Sequence, residues 1–394
     1  MQVEKTLSVR GHEFQIHGWC DDAFEAVADA FAANYVDEEE IGSATTIYVD
    51  GRKVIDVWGG YRDADYAKPW NEDTIVCMMS VAKGIAGMAF NILIDRGQVD
   101  PDMPVAEYWP EFARNGKERV LVRHVLDHTA GLPVVLEPMW RGAIFDCDAI
   151  VGALERQAPL WEPGTVAAYH IHTQGNILGE IVRRVTGKRF PAFIADEVTG
   201  PLGMDYQYGN LSDADLNRCA TLVPTVEGTL LARRDTDPDA LIAKGFTQFP
   251  DEPMPVTLNS TAWRRAEITS ASGHGNPRAV ARVYAAISRG GEIDGVRLMR
   301  PETIKDMLTE QHNQTERMQE RPYHQARGVL LNTPVSVWMG PQMRSFGHHG
   351  FGGSIGFGDP EAHIGFAYAC NKMHARGDNG PRARRIIEAL YEVL

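Results

Sequence analysis

Met78-Met79-Ser80-Val81-Ala82-Lys83-Gly84 opens a helical pattern with a serine and a lysine three residues apart. Positions i and i+3 of a helix share a face. Ser80, in the first turn, meets the positive field of the free amide ends. Lys83, one turn in, reaches the serine proton, but it accepts that proton only if it is neutral. Neutrality requires burial or a neighbouring cation. The residues that follow, among them Ile85, Met88, Phe90, Ile92 and Leu93, are nearly all apolar, so the helix is expected to be deeply buried. This is the arrangement of an activated serine nucleophile. Ser-x-x-Lys also arises by chance at solvated helix starts, so its weight comes from two stretches far downstream.

The surroundings of this helix set the architecture. Upstream, Asp21 or Asp22 is placed to cap a helix to about residue 33, with Phe24, Val27, Ala28 and Phe31 on one face. Residues 44–49 and 53–58 flank Asp50-Gly51, a favoured two-residue turn, and predict a hairpin. Downstream, residues 105–284 read mostly as helices and loops. One helix covers 123–129 and is ended by Gly131-Leu132-Pro133, another covers 148–157, and a third covers 173–186 and is ended by Gly187. Residues 225–262 lack a clear period and are expected to cross the surface as loops, over the site. Asn276-Pro277 starts a helix that Gly290-Gly291 ends. Strand chemistry returns at 328–331, 336–339, 354–357 and 364–369, and residues 381–394 form an amphipathic closing helix. Strands at both ends with helices between predict an α+β fold. It is one antiparallel sheet built from both termini, flanked by terminal helices, with an inserted mainly helical lobe. The expected division is residues 1–75 with 285–394 as a discontinuous sheet domain and 76–284 as the helical domain, with Ser80 at the seam.

Composition excludes several classes. Lys+Arg 39 against Asp+Glu 53 leaves −14, which disfavours nucleic acid or an anionic membrane as partner. No apolar run approaches the roughly 18 residues that span a bilayer. Met1-Gln2-Val3-Glu4-Lys5 lacks the basic start and apolar core of a secretory signal. Cys20, Cys77, Cys147, Cys219 and Cys370 are scattered and odd in number, which points to reduced thiols in a cytoplasm. Cys77, three residues before Ser80, has no lysine or histidine at matched spacing and reads as packing.

The downstream stretches are Trp161-Glu162-Pro163-Gly164-Thr165-Val166-Ala167-Ala168-Tyr169-His170 and Phe346-Gly347-His348-His349-Gly350-Phe351-Gly352-Gly353-Ser354. With Ser80-Val81-Ala82-Lys83, their order and spacing resemble the serine β-lactamase-like hydrolases, in the class C-like branch that includes the family VIII carboxylesterases. His128-Thr129-Ala130-Gly131-Leu132-Pro133 and Pro201-Leu202-Gly203-Met204 extend the resemblance over nearly the whole chain. It implies a β-lactamase/penicillin-binding-protein-like fold, Ser80 as nucleophile and Lys83 as its activating base. Tyr169 matches the tyrosine of the family's Tyr-x-Asn element, sharing protons with Lys83 as a pair. His348-His349-Gly350 matches the Lys-Thr-Gly element on an edge strand, and the amides of Ser80 and Phe351 match the oxyanion hole. Two departures stand out. Ile171 replaces the asparagine of Tyr-x-Asn, and His348 replaces the lysine that holds a β-lactam carboxylate. His170 and His172 are expected to border the same pocket, as substrate contacts or as supports that hold Tyr169 in place.

No metal or cofactor is expected. His124 and His128 are spaced i,i+4 but lack the glutamate of a zinc helix, and the paired histidines have no acidic or cysteine partner at ligand spacing. The glycines of 347–358 precede a strand, not the helix a phosphate loop needs. Gly273-His274-Gly275 is either a pocket entrance or a plain loop. The expected activity is cleavage of a small-molecule carboxylic ester with a short acyl chain, in the cytoplasm, through a Ser80 acyl-enzyme. Amide, peptide or weak β-lactam hydrolysis, acyl transfer to an alcohol, and a non-catalytic scaffold remain open on the same fold.

Overall fold

In a computed structural model the described residues are 1–224, 237–374 and 378–394. The first four strands are β1 (Gln2–Val9), β2 (His12–Cys20), β3 (Gly42–Val49) and β4 (Arg52–Gly60). Two short pairings follow: β5 (Val76–Cys77), β6 (Tyr206–Tyr208) and β7 (Gly273–Gly275) form a three-stranded sheet, and β8 (Glu292–Ile293) pairs with β9 (Val296–Arg297). The last six are β10 (His312–Glu316), β11 (Arg321–Gln325), β12 (Leu330–Leu331), β13 (Phe346–His349), β14 (Ile355–Asp359) and β15 (Ile364–Cys370). Strands from the two ends of the chain merge in one ten-stranded sheet, ordered β1-β2-β4-β3-β15-β14-β13-β12-β11-β10. The junction is β3 with β15, where Thr46 faces Ala367 and Val49 faces Ile364. No helix among the described residues is long and apolar enough to cross a membrane.

The β3–β4 hairpin turns at Asp50-Gly51 as expected, with φ of 51° and 76°, the left-handed pair that a type I′ turn demands. A second hairpin, β1–β2, turns on Arg10-Gly11 in the same way. It was not foreseen, because its strands are mostly polar and half exposed. Helix α1 (Glu25–Asp37) follows a single 3₁₀ turn, Asp22–Phe24. It ends four residues later than expected, and neither Asp21 nor Asp22 caps it through a side chain. Residues 336–339 are not a strand. The Asn332 and Thr333 side chains take the Met339 and Val337 amides at 2.8 and 3.0 Å, which diverts the donors a ladder would need.

Each sheet face has its own cover. Phe357, Ile364, Phe366 and Tyr368 pack with α1 and the closing helix Gly380–Val393. The alternate positions, Gly356, Gly365, Ala367 and Ala369, are small. A Cβ on Gly356 or Gly365 would collide with the helix Pro277–Ser288, so the missing side chains form the groove in which that helix lies. Asn276 caps its first turn, accepting from the Ala279 amide at 3.2 Å. Helix α2 (Val81–Asp95) packs on the same side, and every residue from Val81 to Leu93 is buried. Gly273-His274-Gly275 is the central strand of the small sheet that carries the chain into α2, and His274 is fully buried.

One buried ion pair ties the termini together. Glu40 accepts from Arg382 at 2.8 Å and from the Tyr368 hydroxyl, while Arg382 also donates to the Lys372 carbonyl at 2.6 Å. Glu40 and Arg382 are 0% and 3% exposed. Removing one partner leaves a buried charge uncompensated. Arg382→Ala should lower the unfolding free energy by about 3–5 kcal/mol, read from urea denaturation; a loss under about 1 kcal/mol would show that the pair does not hold the closing helix.

Candidate active site

Ser80 owes its placement to a strained turn. Strand β5 runs into Met79, which adopts φ of 50°, a left-handed conformation worth roughly 1–3 kcal/mol of strain in a side-chain-bearing residue. The chain then reverses into α2, with Ser80 at its N-cap, half-exposed at the head of a buried helix. From the other side the end of β13 closes in. A Cβ on Gly350 would collide with the Met78 carbonyl oxygen, so only glycine lets the chain bring Phe351 alongside Ser80. Ser80, Gly350 and Phe351 line one cavity.

Lys83 is 2% exposed. Its Nζ donates to the carbonyls of Ile171 at 2.7 Å and Ser270 at 3.0 Å, and lies 3.4 Å from Ser80 Oγ. Burial holds its pKa well below the usual lysine range. A neutral amine has two protons and one lone pair. With both protons on carbonyls, the lone pair is left for the third neighbour, Ser80 Oγ. Tyr169 is 4% exposed, its phenol hydrogen-bonds Ser80, and its ring centroid lies 4.7 Å from Lys83 Nζ. Burial, then the neighbouring Tyr323, push the phenol well above its ordinary pKa. Each contacts Ser80, and it is desolvation, not the field of a phenolate, that lowers the lysine pKa.

The histidines separate by orientation. His172 and His349 line the cavity. His170 does not: it is 0% exposed, its Nδ1 bonds the Ala168 carbonyl at 2.7 Å, and its Nε2 accepts from the Leu132 amide at 3.2 Å. It pins two loops, and its expected role as a substrate contact is withdrawn. His348 is also turned away from the cavity. Its Cβ faces Gly84 of α2, its Nδ1 bonds the His349 carbonyl at 2.7 Å, and burial lowers its pKa to about 3. Alternation along a strand sends neighbours to opposite faces, so His348 and His349 cannot both border the substrate. Nor is β13 an edge strand. It lies between β12 and β14, although β12 pairs only with Phe346 and Gly347, which leaves His348 and His349 open on that side. Ile171, in place of an asparagine, presents an aliphatic side chain to the cavity and its carbonyl to Lys83.

The β10–β11 hairpin carries the residues that sequence reasoning missed. Glu316, 1% exposed, accepts from the amides of Tyr169 and Met318 at 2.8 Å and of Gln319 at 2.6 Å. One carboxylate therefore fixes the hairpin turn and the Tyr169 backbone together. Tyr323 packs on Tyr169 with ring centroids 5.6 Å apart. Gln319, Arg321 and Tyr323 line the cavity. The opposite wall is apolar: Phe246, Phe249, Met254, Leu258 and Trp263. Most of these belong to the stretch expected as loops over the site. Its residues 225–236 lie outside the described ones, and the remainder includes the short helices Leu241–Lys244 and Met254–Asn259.

Comparison with known proteins gives the lineage. The beta-lactamase family model matches residues 27–391. An esterase/beta-lactamase of Mycobacterium tuberculosis, LipL, is 32% identical over 380 residues, covering 91% of this chain and 83% of LipL. The crystal structure of a family VIII carboxylesterase superposes with a TM-score of 0.88 at 36% identity, covering 96% of this chain and all of that one. A penicillin-binding-protein homologue from Caulobacter crescentus gives 0.87 at 33% identity, with coverage of 96% and 100%. The chain belongs to the beta-lactamase family and is a serine hydrolase within it.

Proposed function

We propose that the protein cleaves carboxylic esters through a Ser80 acyl-enzyme. The observation that carries this reading is the Lys83 amine, dehydrated, held by two carbonyls and left with Ser80 Oγ as its third neighbour. In the proposed sequence Lys83 takes the Ser80 proton as Oγ attacks the ester carbonyl. The oxyanion is held by the amides of Ser80 and Phe351, at the head of α2. Tyr169, which burial keeps protonated, donates to the departing alkoxide and recovers a proton from the Lys83 ammonium. Water, deprotonated by the same groups, then attacks the acyl carbon and releases the acid and free Ser80.

Esters are favoured over β-lactams because two polar anchors are absent. Ile171 offers no side-chain amide, and His348 is neutral and turned onto α2, away from the substrate. The names of the relatives, an esterase/beta-lactamase and a family VIII carboxylesterase, agree with this choice. The aromatic wall accepts an apolar acyl or alcohol group.

A fluorophosphonate probe should label Ser80, as mapped by mass spectrometry, and p-nitrophenyl butyrate should turn over. Ser80→Ala should lower that turnover by roughly 10⁴–10⁶-fold. Full activity in the variant, or faster turnover of a chromogenic cephalosporin than of the ester by the wild type, would sink the assignment. Because Lys83 acts as the neutral amine, kcat/KM should rise with pH through its depressed pKa and level off above it. Lys83→Arg, permanently charged, should lose about 10²–10⁴-fold across the whole range; a rate that falls with rising pH through that limb would contradict a lysine base. Glu316→Gln, which keeps the shape but weakens a charge-assisted acceptor, should lower kcat about tenfold with KM little changed. An equal rise in KM without loss of kcat would show that Glu316 does not position Tyr169.

A further inference from the structure

The cavity is uneven in charge. Among its described lining residues Arg321 is the one side chain with a permanent charge, and no aspartate or glutamate shares the lining. Elsewhere the protein is acidic, with a net charge of −14. Arg321 and Tyr323, two apart on β11, share a face of the strand, and both line the cavity. Arg321 donates to the Gln319 side-chain oxygen and hydrogen-bonds the Tyr323 hydroxyl. Glu316 stands opposite Arg321 in the ladder, accepts from the amides of Tyr169, Met318 and Gln319, and feels the Arg321 charge. The exposed Glu320 precedes Arg321 at the hairpin turn, outside the cavity lining. The guanidinium is also close enough to Tyr169 for its charge to act on the phenol. Across the space stand Phe246, Phe249 and Trp263, with ring centroids 5.1 and 5.8 Å apart in sequence.

Resting on the ester-hydrolase reading above, we propose that the substrates are amphiphilic esters. A carboxylate on the substrate is held by Arg321 with Gln319 and Tyr323, and an apolar group lies against the aromatic wall. A planar guanidinium matches a carboxylate in a two-pronged contact. A monoanion is the better match than a phosphate dianion, since one cation neutralises one charge and any excess would sit beside apolar side chains. The protein's negative surface repels anions at a distance, so the preference arises by contact inside the cavity.

The test compares matched esters that differ only in the acid. Mono-p-nitrophenyl glutarate is set against p-nitrophenyl butyrate for a carboxylate on the acyl side, and p-butyryloxybenzoate against phenyl butyrate for one on the alcohol side. The wild type should favour the charged member of one pair. Arg321→Gln should reduce that charged-to-neutral ratio of kcat/KM by about tenfold or more, and Arg321→Lys should retain part of the ratio. Ratios unchanged in both pairs would overturn the proposal. So would equal losses on charged and neutral esters with a shifted pH profile, which would make Arg321 a tuner of Tyr169. Neutral-ester activity in the variant reports that it is folded. If the wild type hydrolysed no ester at all, the hydrolase reading itself would fall. The anion contact is then read separately by calorimetry with m-carboxyphenylboronic and phenylboronic acids. A preference for the carboxylated boronate that Arg321→Gln abolishes supports it, and equal affinities overturn it.

Discussion

Everything in this structure turns on keeping one lysine out of water. A lysine in solvent is protonated at neutral pH and has no lone pair to offer. Lys83 is dehydrated because α2 is buried around its whole circumference, and that demands cover from two directions. The sheet built from both ends of the chain lies on one side, and the helices of the middle of the chain lie on the other. A single-domain order of elements, strands first and helices after, would leave one face of α2 wet. The interruption of the sheet by some 250 residues of mainly helical chain, between Gly60 and His312, is what places cover on both sides.

The second constraint is that a buried lysine must still be satisfied. The carbonyls of Ile171 and Ser270 come from segments about a hundred residues apart in sequence, so both loops must be held still. Ser270 helps to hold its own neighbour, since its hydroxyl donates to the His172 carbonyl at 3.0 Å and accepts from the Gly175 amide at 2.8 Å. On the far side Glu316 grips the Tyr169 amide, and the Arg317 amide donates to the Ala167 carbonyl at 3.0 Å. His170 fastens the same loop to Leu132. The loop carrying Tyr169 is therefore anchored from three directions by groups that never touch the cavity.

What was legible in the sequence was local. Ser80 and Lys83 are one helical turn apart, Asp50-Gly51 carries its own turn geometry, and Asn276-Pro277 carries its own cap. Tyr169 was legible only through its place in a longer pattern, because nothing within ten residues of it marks its chemistry. What was misread depended on orientation. Four histidines sit in or beside the two downstream stretches, and adjacency alone assigned all four to the pocket. The structure separates them by a criterion that spacing cannot supply, whether each ring borders the cavity or points away from it. Glu316 and Arg321 were invisible for another reason. A polar hairpin such as Gln314-Thr315-Glu316-Arg317-Met318-Gln319-Glu320-Arg321 looks like an ordinary solvated turn, and only its packing against the Tyr169 loop makes one carboxylate a clamp and one guanidinium part of a cavity wall.

The exchange of lysine for His348 has a consequence for the electrostatics of the whole cavity. A lysine there would bring a second cation next to Lys83, and like charges so close would lower both pKa values. A histidine with its pKa pushed down to about 3 brings none at neutral pH. Burial alone must then lower the pKa of Lys83, which fits the near-complete enclosure of α2 and the apolar character of the opposite wall. The permanent positive charge of the described cavity lining is then that of Arg321. An anionic group on a ligand would be drawn to that guanidinium, leaving the site beside Ser80 to an uncharged carbonyl.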